Sequence, residues 1–97
     1  MFARVSTAQG LPGKSDEIIR IHKDSVLPAC RQQKGFKGFY LLHDRKTGKG
    51  LTITLWDTEA DMTAAETSGF YQQQVVKFKD VLAAPVVRES YEVSVQA

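Results

Sequence analysis

Cys30 is the only cysteine, so no disulfide can form within the chain, and a reducing compartment is the expected one. Three prolines and seven glycines are too few for a low-complexity linker or a fibrous repeat. Long hydrophobic runs are missing: none approaches the roughly 20 residues of a membrane span. Met1-Phe2-Ala3-Arg4 does not follow the basic-then-apolar order of a signal peptide. Neither sign of charge dominates. Thirteen Lys and Arg against eleven Asp and Glu leave +2, which demands no polyanionic partner. A cytoplasmic protein with no membrane contact is therefore expected. What is present is ordinary globular material, 42% hydrophobic and 25% charged. The 97 residues make one domain, 1–97, with a modest core. That leaves little room for a deep enclosed site unless a second subunit adds to it.

Phe2 to Gln9 reads as a strand ended by the turn Gly10-Leu11-Pro12-Gly13. A helix is predicted from Ser15, as N-cap, to about Gln33, with Ile18, Ile19, His22, Val26 and Ala29 on one side. Pro28 lies inside it and predicts a kink or a weak last turn. Phe36 to Asp44 and Leu51 to Trp56 read as strands joined by a polar hairpin turn. In the second of them, Leu51, Ile53 and Leu55 alternate with Thr52, Thr54 and Trp56. Thr58 is predicted to cap a second helix that reaches Leu82 only if it breaks near Gly69. Phe70, Tyr71, Gln74, Val75, Phe78, Val81 and Leu82 then share a face, and Val86 to Val95 alternates as a last strand.

The order strand, helix, strand, strand, helix, strand places the chain in the α+β class, with a four-stranded antiparallel sheet and both helices on one face. The other face stays bare. A bare apolar sheet predicts self-association, and a homodimer packed sheet against sheet covers it.

Several short motifs then align in order. They are Ala3-Arg4-Val5, Pro12-Gly13-Lys14, Val26-Leu27-Pro28-Ala29, Gly35-Phe36-Lys37-Gly38, Thr54-Leu55-Trp56-Asp57-Thr58-Glu59-Ala60 and Ser68-Gly69-Phe70-Tyr71. Together they make the chain resemble the antibiotic biosynthesis monooxygenase (ABM) domain family of dimeric α+β barrels, from residue 2 to about 95. The resemblance implies a ferredoxin-like fold, a homodimer whose two sheets form a barrel, and a small-molecule pocket between sheet and helices in each subunit. It also implies cofactor-independent oxygenation of a phenol- or quinol-like substrate, with no cofactor and no metal. Haem degradation is not expected. Where haem-degrading members carry Trp and His on the second helix, this chain has Ala65 and Val75, and its first strand has no Asn. A non-catalytic homodimer that binds a small molecule in the same pocket is the alternative.

His22 falls mid-way along the apolar face of the first helix. It is a candidate base for a phenolic proton, or else a half-buried histidine satisfied by a strand hydroxyl. Tyr71 is the second catalytic candidate, positioned after the helix break to orient a substrate hydroxyl. Phe70, Trp56 and Tyr40 are candidates for lining the pocket, with core packing or, for Tyr40, the dimer interface as the competing use. Arg88 could bind an anionic or carbonyl oxygen. As buried strand cations, Arg4 and Arg88 would otherwise pair with Glu89, Glu92 or a partner-chain acid. His43 reads as a surface residue, and Cys30 has neither a neighbouring base nor metal-ligand spacing. Residues 34 to 41 imitate an RNA-recognition signature, but on the second strand rather than the third, so no nucleic-acid partner is expected.

Overall fold

Branched and aromatic residues extend the chain where they concentrate. The computed structural model, which describes all residues from Met1 to Ala97, has strands β1 (Phe2–Gln9), β2 (Phe36–His43), β3 (Lys49–Trp56) and β4 (Val87–Glu92). They form one antiparallel sheet in the order β2-β3-β1-β4. The helical segments are α1 (Ser15–Ile21), α2 (Leu27–Arg31), α3 (Glu59–Thr67) and α4 (Phe70–Val75). A π-helical turn, His22–Val26, joins α1 to α2, and a 3-10 turn, Val76–Phe78, follows α4. This is the α+β, ferredoxin-like fold expected. No helix is long and apolar enough to cross a membrane.

Local chemistry explains where the elements differ from expectation. Pro28 has no N–H to give to the Asp24 carbonyl. The turn before it widens instead of kinking, and Leu27 N–H reaches five residues back to His22 O. The N-cap is Lys14 rather than Ser15, whose hydroxyl bonds His43 Nε2 at 2.8 Å. Thr58 does cap α3, accepting from Asp61 N–H at 3.1 Å. Gly69, at φ +87°, separates α3 from α4 in a left-handed conformation that glycine adopts without strain. The helical stretch then ends at Phe78, before Leu82, and β4 ends at Glu92, before Val95.

Register decides which side chains face the helices. Ala3 pairs with Leu55 and Tyr91, Val5 with Ile53 and Glu89, and Thr7 with Leu51 and Val87. Tyr40 and Leu42 pair with Ile53 and Leu51. All of these share the outer face, because residues opposite one another in a ladder project to the same side. No element of the chain covers that face, and Tyr40, Leu42, Val87 and Tyr91 are half exposed or more. The inner face carries the alternate residues, among them Arg4, Ser6, Thr52, Thr54 and Trp56. Under the helices lie two apolar clusters. Ile18, Val26, Cys30, Phe78 and Val81 form one, Trp56, Met62 and Ala65 the other, and Phe36 and Phe70 pack against both.

Candidate functional site

The inner face is unusually polar for a sheet that packs under helices, so the layers do not close completely. They leave a crevice of about 70 Å³, whose walls include Arg4, His22, Thr52, Thr54, Trp56, Phe70, Tyr71 and Gln74. Beyond its rim, an open groove of about 490 Å³ shares Tyr71, Val75 and Val86 with the crevice and adds Arg88.

His22 reaches this space because the π turn starts with it, on the helix side that carries Ile18 and Val26. Its Nδ1 lies 2.9 Å from the carbonyl of Ile18, which can only accept. Nδ1 therefore carries the proton, and Nε2 accepts from the Thr52 hydroxyl at 3.0 Å. Burial pushes the imidazole below its ordinary value of 6.5; the nearby His43 adds to this, and the Ile18 carbonyl opposes it. At neutral pH the ring is an uncharged base whose one lone pair, on Nε2, is held by the Thr52 hydroxyl at the wall of the crevice. The strand hydroxyl and the pocket position, weighed above as competing uses, occur together.

Tyr71 OH and Ser6 Oγ are 2.8 Å apart, bridging α4 to β1. Two guanidinium groups lie against the Tyr71 ring, Arg4 at 5.0 Å and Arg88 at 5.1 Å from its centroid. The acid that pairs them is Glu66 on α3, not Glu89 or Glu92. Glu66 Oε1 accepts from Arg4 Nε at 3.0 Å and lies 3.7 Å from Arg88 Nε. Glu89 instead accepts from Tyr91 OH at 2.7 Å. Arg4 is 3% exposed. Its pKa is lowered by burial, against which the ion pair with Glu66 holds the charge.

Trp56 forms the floor of the crevice. It is 1% exposed, donates Nε1–H to Thr54 Oγ1 at 2.9 Å, and meets Phe36 edge-on. Phe70 lines the crevice, while Arg88 stands in the outer groove. Tyr40 does not join them: its register with Ile53 puts it on the outer face, 58% exposed. His43 is half-buried rather than a surface residue, with Nε2 on Ser15 and Nδ1 without a partner. Gln74 is a buried crevice residue that the sequence reading places on the right face without naming as functional. An amide among Phe70, Tyr71 and Phe78 carries the same signal that marks His22.

Cys30 also borders the crevice, but burial lifts its thiol to about 11. At pH 8 the folded protein should react with a thiol-specific reagent such as iodoacetamide far more slowly than the unfolded chain. Equal rates, followed by mass spectrometry, would place Cys30 in solvent. No group of three or more His, Cys, Asp or Glu comes together as a metal site.

The comparisons with known proteins agree on one architecture. The model of the family described as Antibiotic biosynthesis monooxygenase matches residues 1–77. The heme-degrader MhuD of Mycobacterium tuberculosis, solved with two hemes in its active site, superposes with a TM-score of 0.80 at 16% identity over 100% of this chain and 99% of its own. A monooxygenase from the gene ActVA-Orf6 of Streptomyces coelicolor, solved with Nanaomycin D, gives 0.76 at 13% identity over 99% and 89%. SnoaB, a cofactor-independent oxygenase from Streptomyces nogalater, gives 0.76 at 10% over 98% and 94%. Identities this low establish a shared fold. No protein of curated function matches the sequence.

Proposed function

The chain belongs to the antibiotic biosynthesis monooxygenase family, and on that premise we propose that it is a cofactor-independent monooxygenase of a small phenol- or quinol-like substrate. The observation that carries this reading is the His22 arrangement. A buried, neutral imidazole has its proton fixed on Nδ1 by the Ile18 carbonyl and its Nε2 on the Thr52 hydroxyl, with His22 and Thr52 both lining the crevice. The aromatic body of the substrate rests against Phe70 and Tyr71 and reaches the crevice from the outer groove, which is the larger space.

The chemistry balances without a redox cofactor, because the substrate supplies the electrons. One phenol and one dioxygen give one quinone and one water. The substrate gives up its hydroxyl hydrogen and one ring hydrogen and gains an oxygen atom. The second oxygen atom leaves as water with those two hydrogens. Nε2 takes the phenolic proton as the Thr52 hydroxyl turns away. The resulting anion transfers an electron to dioxygen, and the two radicals combine into a ring hydroperoxide. Loss of the ring proton and cleavage of the O–O bond release water and leave the new carbonyl. Negative charge on the substrate oxygen faces the Tyr71 hydroxyl and the Arg88 guanidinium, which stabilise it more than the neutral phenol.

Oxygen uptake by the metal-free protein, measured against a panel of phenols and hydroquinones, tests this. Saturable uptake that falls in Tyr71→Phe supports it; no uptake across the panel supports a binding protein instead. That second reading has one observation of its own. Ala65, where the resemblance places a Trp in the oxygenases, is packed into the core beside Trp56. Haem is not the proposed ligand, since Val75 offers no donor atom where the haem degraders have His.

The active unit in this reading is a homodimer whose second copy covers the outer face of the sheet. Tyr40, Leu42, Val87 and Tyr91 stand exposed there beside Ile53 and Leu55, a patch that water would otherwise wet. Light scattering at micromolar concentration should give twice the 10.8 kDa chain mass. Leu42→Asp should move it to the monomer value; a monomeric wild type would end the proposal.

A further inference from the structure

Under the β2–β3 hairpin lies a second cavity, of about 40 Å³, which shares Ser6, His22, Thr52, Phe78 and Val86 with the crevice. We propose that it is the binding site for the co-substrate, dioxygen. The proposal rests on the oxygenase reading and extends it, because it assigns the small-gas partner a place of its own beside the base.

Size comes first. A water-sized guest occupies about 10–15 Å³ of such space, so the cavity has room for roughly three atoms and none for an aromatic ring. Its walls decide between water and an apolar guest. They are built by Ala8, Ile18, Leu41 and Leu82 and by glycine backbone at Gly10 and Gly50. The polar side chains on its boundary each have one protein partner, Ser6 with Tyr71, Thr52 with His22 and His43 Nε2 with Ser15, which leaves mainly spare acceptor lone pairs. The one unpaired nitrogen, His43 Nδ1, is shielded from the space. A water molecule needs two to four polar partners to be held; a neutral diatomic needs none.

Position comes second. His22 and Thr52 stand between the cavity and the crevice, so a guest behind them meets the substrate ring where the phenolic proton leaves.

Dioxygen itself is the probe. Its unpaired electrons speed the relaxation of nearby methyl protons, and methyl NMR under oxygen pressure reads this without any turnover. The expected result is several-fold greater enhancement at Ile18, which is 5% exposed, than at Met62, which is 3% exposed and lies in the other core cluster. Ala8→Val, a substitution that strand geometry favours, should abolish the excess. Leu82→Ala, which enlarges the space, should preserve or increase it. In turnover, Ala8→Val should raise the KM for oxygen several-fold and leave the KM for the phenol unchanged. Enhancement no greater than at Met62, or an oxygen KM insensitive to Ala8→Val, overturns the assignment. If the oxygenase reading fails, the sign is different: no phenol is consumed while the relaxation pattern persists.

Discussion

His22→Gln is expected to lower turnover of a phenolic substrate by about 10²–10⁴-fold, the contribution of a positioned general base. Gln keeps a polar group near Thr52 but cannot take a proton. The pH profile separates loss of the base from loss of structure. In the wild type, kcat/KM should fall on the acid side below 6.5, because burial holds the His22 pKa under that value and its protonated form cannot act. In His22→Gln the residual rate should lack that limb. Unchanged turnover, or an acid limb that survives the substitution, would remove His22 from the mechanism. The same shift appears in stability. Above pH 6.5 the ring is neutral folded or unfolded, so its contribution is fully present. As pH falls below 6.5 the unfolded chain protonates first, and stability is lost until the lower folded value is passed. The Tm difference between wild type and His22→Gln should therefore shrink on acidification.

His22 also shows how far the sequence reaches. Its place among Ile18 and Val26 is enough to predict a helix face turned to the sheet, and the alternation of Thr52, Thr54 and Trp56 is enough to predict a strand. Both are local periodicities. The site depends on which strand face meets the helices, and that is a pairing outcome. The more apolar face of β3, Leu51, Ile53 and Leu55, turns outward, and the threonine face turns in. The π turn is hidden because Pro28 reads only as a missing donor, and whether a helix kinks or widens there depends on packing. Tyr40 misses the crevice by a single step of register parity. Glu66 cannot be read as the partner of Arg4, since nothing in a spacing of 62 residues joins α3 to β1. Gln74 is legible as a polar residue on an apolar helix face, the same pattern that singles out His22.

Glu66→Gln should be the most destabilising of the polar substitutions in this chain. Arg4 is 3% exposed, and its charge cannot be shed by deprotonation. Removing the carboxylate's charge leaves that cation with neutral acceptors only, the Gln amide oxygen and the Met62 carbonyl at 2.6 Å, and with the faces of Trp56 and Tyr71. Breaking a buried pair from one side costs about 3–5 kcal/mol, and the lower end applies because Glu66 is itself 22% exposed. At about 4–8 °C per kcal/mol for a domain of this size, Tm should drop by roughly 12–24 °C. Arg88 worsens the loss: its charge disfavours that of Arg4, and without the Glu66 carboxylate nothing neutralises the two cations beside the Tyr71 ring. The double variant Arg4→Met, Glu66→Gln removes the stranded charge and should recover most of the stability, giving a strong coupling in a double-mutant cycle. A single-variant loss under about 1 kcal/mol, the range of an exposed ion pair, would mean that water reaches Arg4 when Glu66 is gone. The wall of the crevice would then be open beside β1, and the electrostatic frame that holds Tyr71 against Ser6 would not be a closed one.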